Sequence, residues 1–219
     1  MDSPLLSSFG TSGASALPLD PDAIAAMLRL PPPPRDPLDL HIGEITEGTP
    51  VRDAAVLVPF VVRSGQLNVL FTQRTPHLAA HAGQISFPGG RVEASDAGRE
   101  DTALRETEEE IGLARRHVKV LGTLAEYPLP SGFRITPVVG WIEAPFETQP
   151  DPYEVADIFE APLLHFLDQA RYQRHEYDFN GRHRHYLAIP YEGRYIWGAT
   201  AGMLMLLART LSPRGTVYP

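Results

Sequence analysis

Residues 85–112 read ISFPGGRVEASDAGREDTALRETEEEIG. Ile85-Ser86-Phe87 is a short β-type run and Pro88-Gly89-Gly90 a turn. From about Gly98 to Ile111 a helix is expected, closed by Gly112, which suits the left-handed position just past a helix end. The order is strand, glycine turn, helix. Inside the helix Glu106, Glu109 and Glu110 fall at i, i+3 and i+4, so their carboxylates share one face within about a turn. They also stand in its last turns. Each like-charged neighbour there costs roughly 0.2–0.5 kcal/mol, and the macrodipole opposes anions by a few tenths to about 1 kcal/mol. A hard divalent cation reverses the sign of that repulsion, and Mg²⁺ typically takes carboxylates together with phosphate oxygens and water. For an isolated glutamate run a solvated acidic face is the ordinary explanation. The glycines weigh the other way, because glycine lets a carbonyl turn toward a metal or an amide toward phosphate. Arg105, inside the cluster, can grip one glutamate while the others hold metal.

Outward from this stretch, Ala54 to Val62 and Leu67 to Thr72 are β-branched or aliphatic runs joined across Arg63-Ser64-Gly65-Gln66, a hairpin. His117 to Tyr127 and Arg134 to Glu143 read as two further strands around the turn Pro128 to Gly132. A short helix over Ala161 to Ala170, a strand pair near His185 to Ile189 and Arg194 to Trp197, and a helix from Ala199 to Thr210 follow. Mixed strands flanked by helices predict an α/β fold, an α/β/α sandwich with a mixed β-sheet. Residues 1–40 read as a flexible Pro-rich leader with a short helix after Asp20-Pro21-Asp22, stopped by Pro31 to Pro34. Residues 41–219 read as the folded domain.

Composition narrows the chemistry. The 219 residues carry 19 Lys and Arg against 27 Asp and Glu, a formal charge of −8. No basic stretch offers the phosphate-driven affinity that a nucleic-acid binder needs, so no nucleic-acid partner is expected. The chain holds no cysteine, which excludes thiolate ligands and thiol catalysis and leaves oxygen and nitrogen donors. Apolar runs are too short to span a bilayer and the N-terminus lacks a signal-peptide pattern. The expectation is a soluble, cytoplasmic protein with no membrane partner.

GGRVEASDAGREDTALRETEEEIGL, residues 89–113, resembles the Nudix box: Gly, five residues, Glu, seven residues, Arg-Glu-apolar-any-Glu-Glu-any-Gly-apolar. Arg105, Glu106, Glu109, Glu110, Gly112 and Leu113 match. Thr107 is polar where an apolar residue is usual, 14 residues rather than 13 separate Gly90 from Arg105, and Asp96 stands where the early Glu is expected. The longer box, preceded by LFTQRTPHLAAHAGQISFPGG over residues 70–90, resembles the coenzyme A pyrophosphatase branch, and the similarity runs over about residues 52 to 210. Thr75 and Ala79 depart from that branch's upstream motif, leaving Arg74, His81 or Arg91 to supply charge for a 3′-phosphate.

The resemblance implies cleavage of coenzyme A at its diphosphate, giving 4′-phosphopantetheine and adenosine 3′,5′-bisphosphate, with Mg²⁺ or Mn²⁺. It implies Glu106 and Glu110 as metal ligands, Glu109 as a ligand or the base, Arg105 as the orienter of Glu106, and the Gly90 carbonyl as an additional ligand. Asp96 is expected to contact a metal-bound water. Dimers are common in the superfamily, so a homodimer stays open. So do a Nudix hydrolase of another nucleoside diphosphate derivative, such as ADP-ribose or a dinucleotide, and a non-catalytic nucleotide-binding module.

Plainer explanations stand beside several of these residues. His81 can contact phosphate or simply build a turn. Glu154 reads first as an exposed residue in a helix's opening turn and second as a remote base. The alternation Arg182-His183-Arg184-His185 suits a nucleotide or a solvent-facing edge strand. Trp197, Met203, Leu206 and Leu207 read as core.

Overall fold

The computed structural model describes residues 20–32, 45, 48–78, 81–179 and 182–211, apart from the side chains of Phe179, Arg182 and His183. The first part of the leader, most of the Pro-rich linker, Ala79 and the His183 side chain therefore lie outside the described residues. Helix α1 (Pro21–Leu28) comes first, followed by strands β1 (Arg52–Arg63), β2 (Gln66–Arg74), β3 (Ile85–Ser86) and β4 (Gly89–Arg91), then helix α2 (Arg99–Ile111). Next are β5 (Val118–Thr123), β6 (Tyr127–Pro128), β7 (Phe133–Ile142), β8 (Val155–Pro162) and the short α3 (Leu163–Leu167). Strands β9 (Gln173–Phe179), β10 (Arg182–Tyr191) and β11 (Arg194–Trp197) precede α4 (Ala199–Leu211).

β1 organises the molecule. Its even positions Ala54, Val58 and Phe60 pack with α1, α3 and α4, while Ala55, Leu57 and Val61 pack toward α2 and the segment after it. The period of two therefore buries the strand on both faces, which is why it reads as a nearly continuous apolar run. β1 pairs antiparallel with β2 and β4 and parallel with β7, from Arg52 opposite Phe133 to Phe60 opposite Trp141. A parallel pair needs a crossover connection; α2 lies within it and packs on the sheet. Ser64 and Gly65 both have positive φ, 51° and 78°, the requirement of a tight turn whose twist matches the flanking strands. The fold is the expected α/β sandwich around a mixed sheet, with a three-stranded sheet β11-β10-β9 beside the larger one.

The structure departs from the reading at several places. Residues 155–162 form β8 on β2, and only Leu163–Leu167 is helical, so the helix read over Ala161 to Ala170 is mostly strand and turn. The β-branched and aromatic side chains of Val155-Ala156-Asp157-Ile158-Phe159 favour that pairing. Glu154 lies in the turn leading into β8, not in a helix. β9 was not expected, because Gln173 to Phe179 is polar on both faces. Trp197 is 38% exposed and lies edge-on against Tyr186 at 5.4 Å, whereas Met203 and Leu207 are core as read and Leu206 is half-buried. α1 is attached to the domain: Ile24 and Ala25 are buried and Asp22 pairs with Lys119 at 3.0 Å. Among the described residues no helix is long and apolar enough to cross a membrane.

Candidate active site

The two glycines ahead of α2 are fixed by different neighbours. Gly89 has φ 154°, and a Cβ there would collide with the Ala55 carbonyl and the Val56 backbone of β1. At Gly90 a Cβ would strike the Glu106 carboxylate. Strand β4 can thus come close enough for the Gly89 amide to donate to Glu110 Oε2 at 3.3 Å. At the other end of α2, Gly112 adopts φ 67° and its N–H donates to the Glu108 carbonyl at 3.0 Å, the left-handed stop anticipated for it. Thr107, polar at an apolar position, is fully buried and satisfies its hydroxyl by donating to the Ala103 carbonyl at 2.6 Å, a self-contained solution inside a helix.

Asp96 is the hub of a clamp. Its Oδ1 accepts from Arg105 Nε at 2.8 Å, and its Oδ2 accepts from the Glu93 amide at 2.8 Å, the Thr102 hydroxyl at 2.7 Å and Arg105 Nη2 at 3.1 Å. Three of the four donors converge on Oδ2, and the side chain is 1% exposed. The Arg105 hydrogen bonds, with the Glu93 amide next, hold Asp96 well below the usual carboxylate range. Among the described residues Asp96 is thus held by partners from its own segment. The Glu93–Asp96 turn, closed by the Asp96 N–H on the Glu93 carbonyl at 3.1 Å, carries the carboxylate that meets Arg105. Arg105 in turn reaches Glu106 Oε1 at 3.0 Å and Glu109 Oε2 at 3.1 Å, and donates to the Arg91 carbonyl at 3.2 Å.

The glutamates differ sharply among themselves. The Glu109 side chain is 60% exposed, whereas that of Glu110 is 8% exposed and finds its nearest cation, Arg74, only at 3.9 Å. Burial pushes the Glu110 carboxyl up to about 8. The Gly89 amide and Arg74 pull it down, and the charges of Glu154 and Glu106 push it up further. Glu106 is raised as well, by burial first, against the pull of Arg105 and with the push of Glu109 and Glu154. Glu154, distant in sequence, is therefore electrostatically part of the cluster. It is delivered by the turn before β8, where the Thr75 N–H donates to its carbonyl at 2.9 Å.

Among the described residues, no three acidic or imidazole side chains already close on one point. The donor set nonetheless fits a hard divalent ion. The buried Glu110 and the half-buried Glu106 repel each other beside a glycine strand, and the nearest cation to Glu110 is 3.9 Å away. Of the residues proposed to meet substrate, Arg74 lies beside Glu110, and its Nε is buried without a hydrogen-bond partner. His81 has φ 58° and its Nδ1 shares a hydrogen bond with Gln84 Oε1 at 2.7 Å, the turn role read for it. Arg91 carries its guanidinium 6.0 Å from the Phe133 ring, and His185 lies 3.5 Å from Glu176.

The model of the NUDIX domain matches residues 51–177, more than half of the chain. The chain belongs to the Nudix hydrolase family. It is 41% identical over 160 residues to the uncharacterized Nudix hydrolase NudL of Yersinia enterocolitica, covering 73% of this chain and 81% of that protein. With the Yersinia pestis protein of the same name it shares 39% identity over 186 residues, covering 84% and 90%. Among solved structures, a MutT/nudix family protein from Enterococcus faecalis aligns with a TM-score of 0.48 at 17% identity, covering 77% of this chain and 64% of that one. An Ap4A hydrolase complex from C. elegans aligns at 0.44 and 21% identity, over 52% and 82%. As a Nudix hydrolase the chain cleaves a phosphoanhydride, a reaction for which Nudix enzymes generally use divalent cations.

Proposed function

We propose that this Nudix hydrolase cleaves the diphosphate of coenzyme A or its derivatives, releasing 4′-phosphopantetheine and adenosine 3′,5′-bisphosphate. The observation that carries the reading is where the coenzyme A-like upstream segment folds. Residues 70–90 run from β2 to β4, and bring Arg74 to 3.9 Å from Glu110 and Gly90 against Glu106. The segment that resembles a substrate motif and the box thus meet at one place.

In this reading Glu106, Glu110 and the Gly90 carbonyl hold Mg²⁺ or Mn²⁺, with Glu109 as a further ligand or as the base. The cation, when bound, screens the charge of the two phosphates and acidifies water. Arg105, itself fixed by Asp96, sets the orientation of Glu106. Glu109, exposed and adjacent, takes the proton of the attacking water, while the bridging P–O bond breaks and the leaving phosphate keeps the electron pair. Arg74 lies where a phosphate oxygen would replace Glu110 as its partner. His81 and Arg91 are the remaining candidates for the 3′-phosphate.

One observation favours a second reading, a nucleoside diphosphate derivative without a 3′-phosphate, such as ADP-ribose. Thr75, a departure from the coenzyme A pattern, donates its hydroxyl to the Tyr153 carbonyl at 2.7 Å and so does not offer it to a phosphate. Parallel incubation of the purified protein with coenzyme A, ADP-ribose and reduced NAD, with and without Mg²⁺, followed by phosphorus NMR of the products, separates the two. Metal-dependent appearance of adenosine 3′,5′-bisphosphate as the fastest reaction is the expected outcome. Faster cleavage of ADP-ribose keeps the bond type and overturns the substrate.

A further inference from the structure

The turn that delivers Glu154 also carries an aromatic ring outward. Tyr153 is 66% exposed, the most exposed large hydrophobic side chain among the described residues. Its backbone is nevertheless held from both sides. Its N–H donates to Asp151 Oδ1 at 2.8 Å, and its carbonyl accepts the hydroxyl of the buried Thr75 at 2.7 Å. The ring leans on the exposed His77 ring, with centroids 4.9 Å apart and planes inclined by 56°. Two exposed rings thus meet, one of them on a backbone hydrogen-bonded on both sides, and aromatic rings offer large contact area at low conformational-entropy cost.

The position points to what would lie there. Tyr153 is bonded to Glu154, whose charge reaches both Glu106 and Glu110. Thr75 is bonded to Arg74, which lies beside Glu110. Consecutive Cα atoms are about 3.8 Å apart; Tyr153 is one residue from Glu154, and His77 is three residues from Arg74, the arginine assigned to a phosphate. In a nucleoside diphosphate the base sits one ribose away from the phosphates, a comparable step. We propose that Tyr153 and His77 form the platform on which the purine base of the substrate stacks. The assignment rests on the reading of the neighbouring site as one for a nucleoside diphosphate, and it is the same for coenzyme A and for ADP-ribose. Stacking uses the π-face that every base presents, and the phenol hydroxyl is not required for it.

The test uses AMP, adenosine 3′,5′-bisphosphate, 4′-phosphopantetheine and inorganic imidodiphosphate as probes, measured by calorimetry with Mg²⁺ on the full chain and on Tyr153→Ala, Tyr153→Phe and His77→Ala. Tyr153→Ala is expected to weaken AMP and adenosine 3′,5′-bisphosphate about tenfold, or about 1.4 kcal/mol. Tyr153→Phe should restore binding to within about twofold, with His77→Ala intermediate and imidodiphosphate unchanged throughout. With whichever substrate is cleaved, the loss should fall on KM rather than kcat. Undiminished AMP binding by Tyr153→Ala and His77→Ala overturns the platform, as does weakening of 4′-phosphopantetheine instead, which would put the pantetheine arm on the rings. If AMP binding falls as expected while coenzyme A is not cleaved, the platform stands and the coenzyme A reading fails.

Discussion

Asp96 and Glu110 are both largely covered acids of one glycine-to-helix segment, yet their surroundings push them in opposite directions. Asp96 faces four donors and is held far below the ordinary carboxylate range, whereas Glu110 faces one distant amide and an arginine at 3.9 Å and is pushed up to about 8. The first is a finished interaction, the second an incomplete one. The difference sets a carboxylate whose partners are in place against one whose repulsion is unrelieved, where the proposed cation would act. It also separates two roles that the motif alone merges, since Asp96 organises Arg105 and Arg105 organises the glutamates.

The comparison is tested hardest by Glu110→Gln. Turnover of the preferred diphosphate should fall on the order of 10³-fold, the scale of losing a metal's several kcal/mol of transition-state stabilisation, while the metal-free protein melts at the same temperature or higher. An unfolded or fully active variant would break the contrast. Asp96→Ala should do the reverse: thermal melts shift several degrees downward, and turnover falls about 10- to 100-fold because Arg105 no longer fixes Glu106, as for other residues that orient metal ligands. Gly90→Ala forces Glu106 off its present position and should lower activity with a smaller loss of stability, read from kcat and a melt. The smallest effect expected is Thr107→Val, within about 1 kcal/mol by chemical denaturation, since the helix carbonyl keeps its backbone partner when the extra hydroxyl is removed.

The acidities give the contrast a pH signature. For Glu110 the folded value of about 8 exceeds the unfolded carboxylate value. The folded state therefore holds a proton the unfolded chain has lost. Its contribution to stability is fully present below the unfolded value and fades as pH rises through the folded one. Metal-free protein should therefore lose stability from about pH 4.5 to about pH 8 through this group, and Glu110→Gln should flatten that slope. Asp96 works oppositely, its contribution being lost only in acid, below the ordinary carboxylate range.

What was legible in the sequence was local. The α2 boundaries, the Gly112 stop, the β1–β2 hairpin and the spacing of Glu106, Glu109 and Glu110 follow from neighbours a few residues apart, and the sandwich architecture from their order. What escaped depended on distant partners. β8 was hidden because Ile158 and Phe159 gain their strand character by pairing with β2, and β9 because its polar residues show no buried face. Trp197 looked like core until the small sheet placed it on an outer face. The Asp96–Arg105 clamp joins residues nine apart across a turn, and the charge of Glu154 reaches Glu106 and Glu110 from a turn far along the chain.

The most direct measurement is the thermal midpoint of wild type and Glu110→Gln at pH 8.5, each with and without Mg²⁺. If Glu110 is the incomplete partner that a cation completes, Mg²⁺ raises the wild-type midpoint by several degrees, as expected at about 100 times its dissociation constant, and leaves the variant almost unmoved. Equal shifts in both proteins, or none in either, would contradict that assignment.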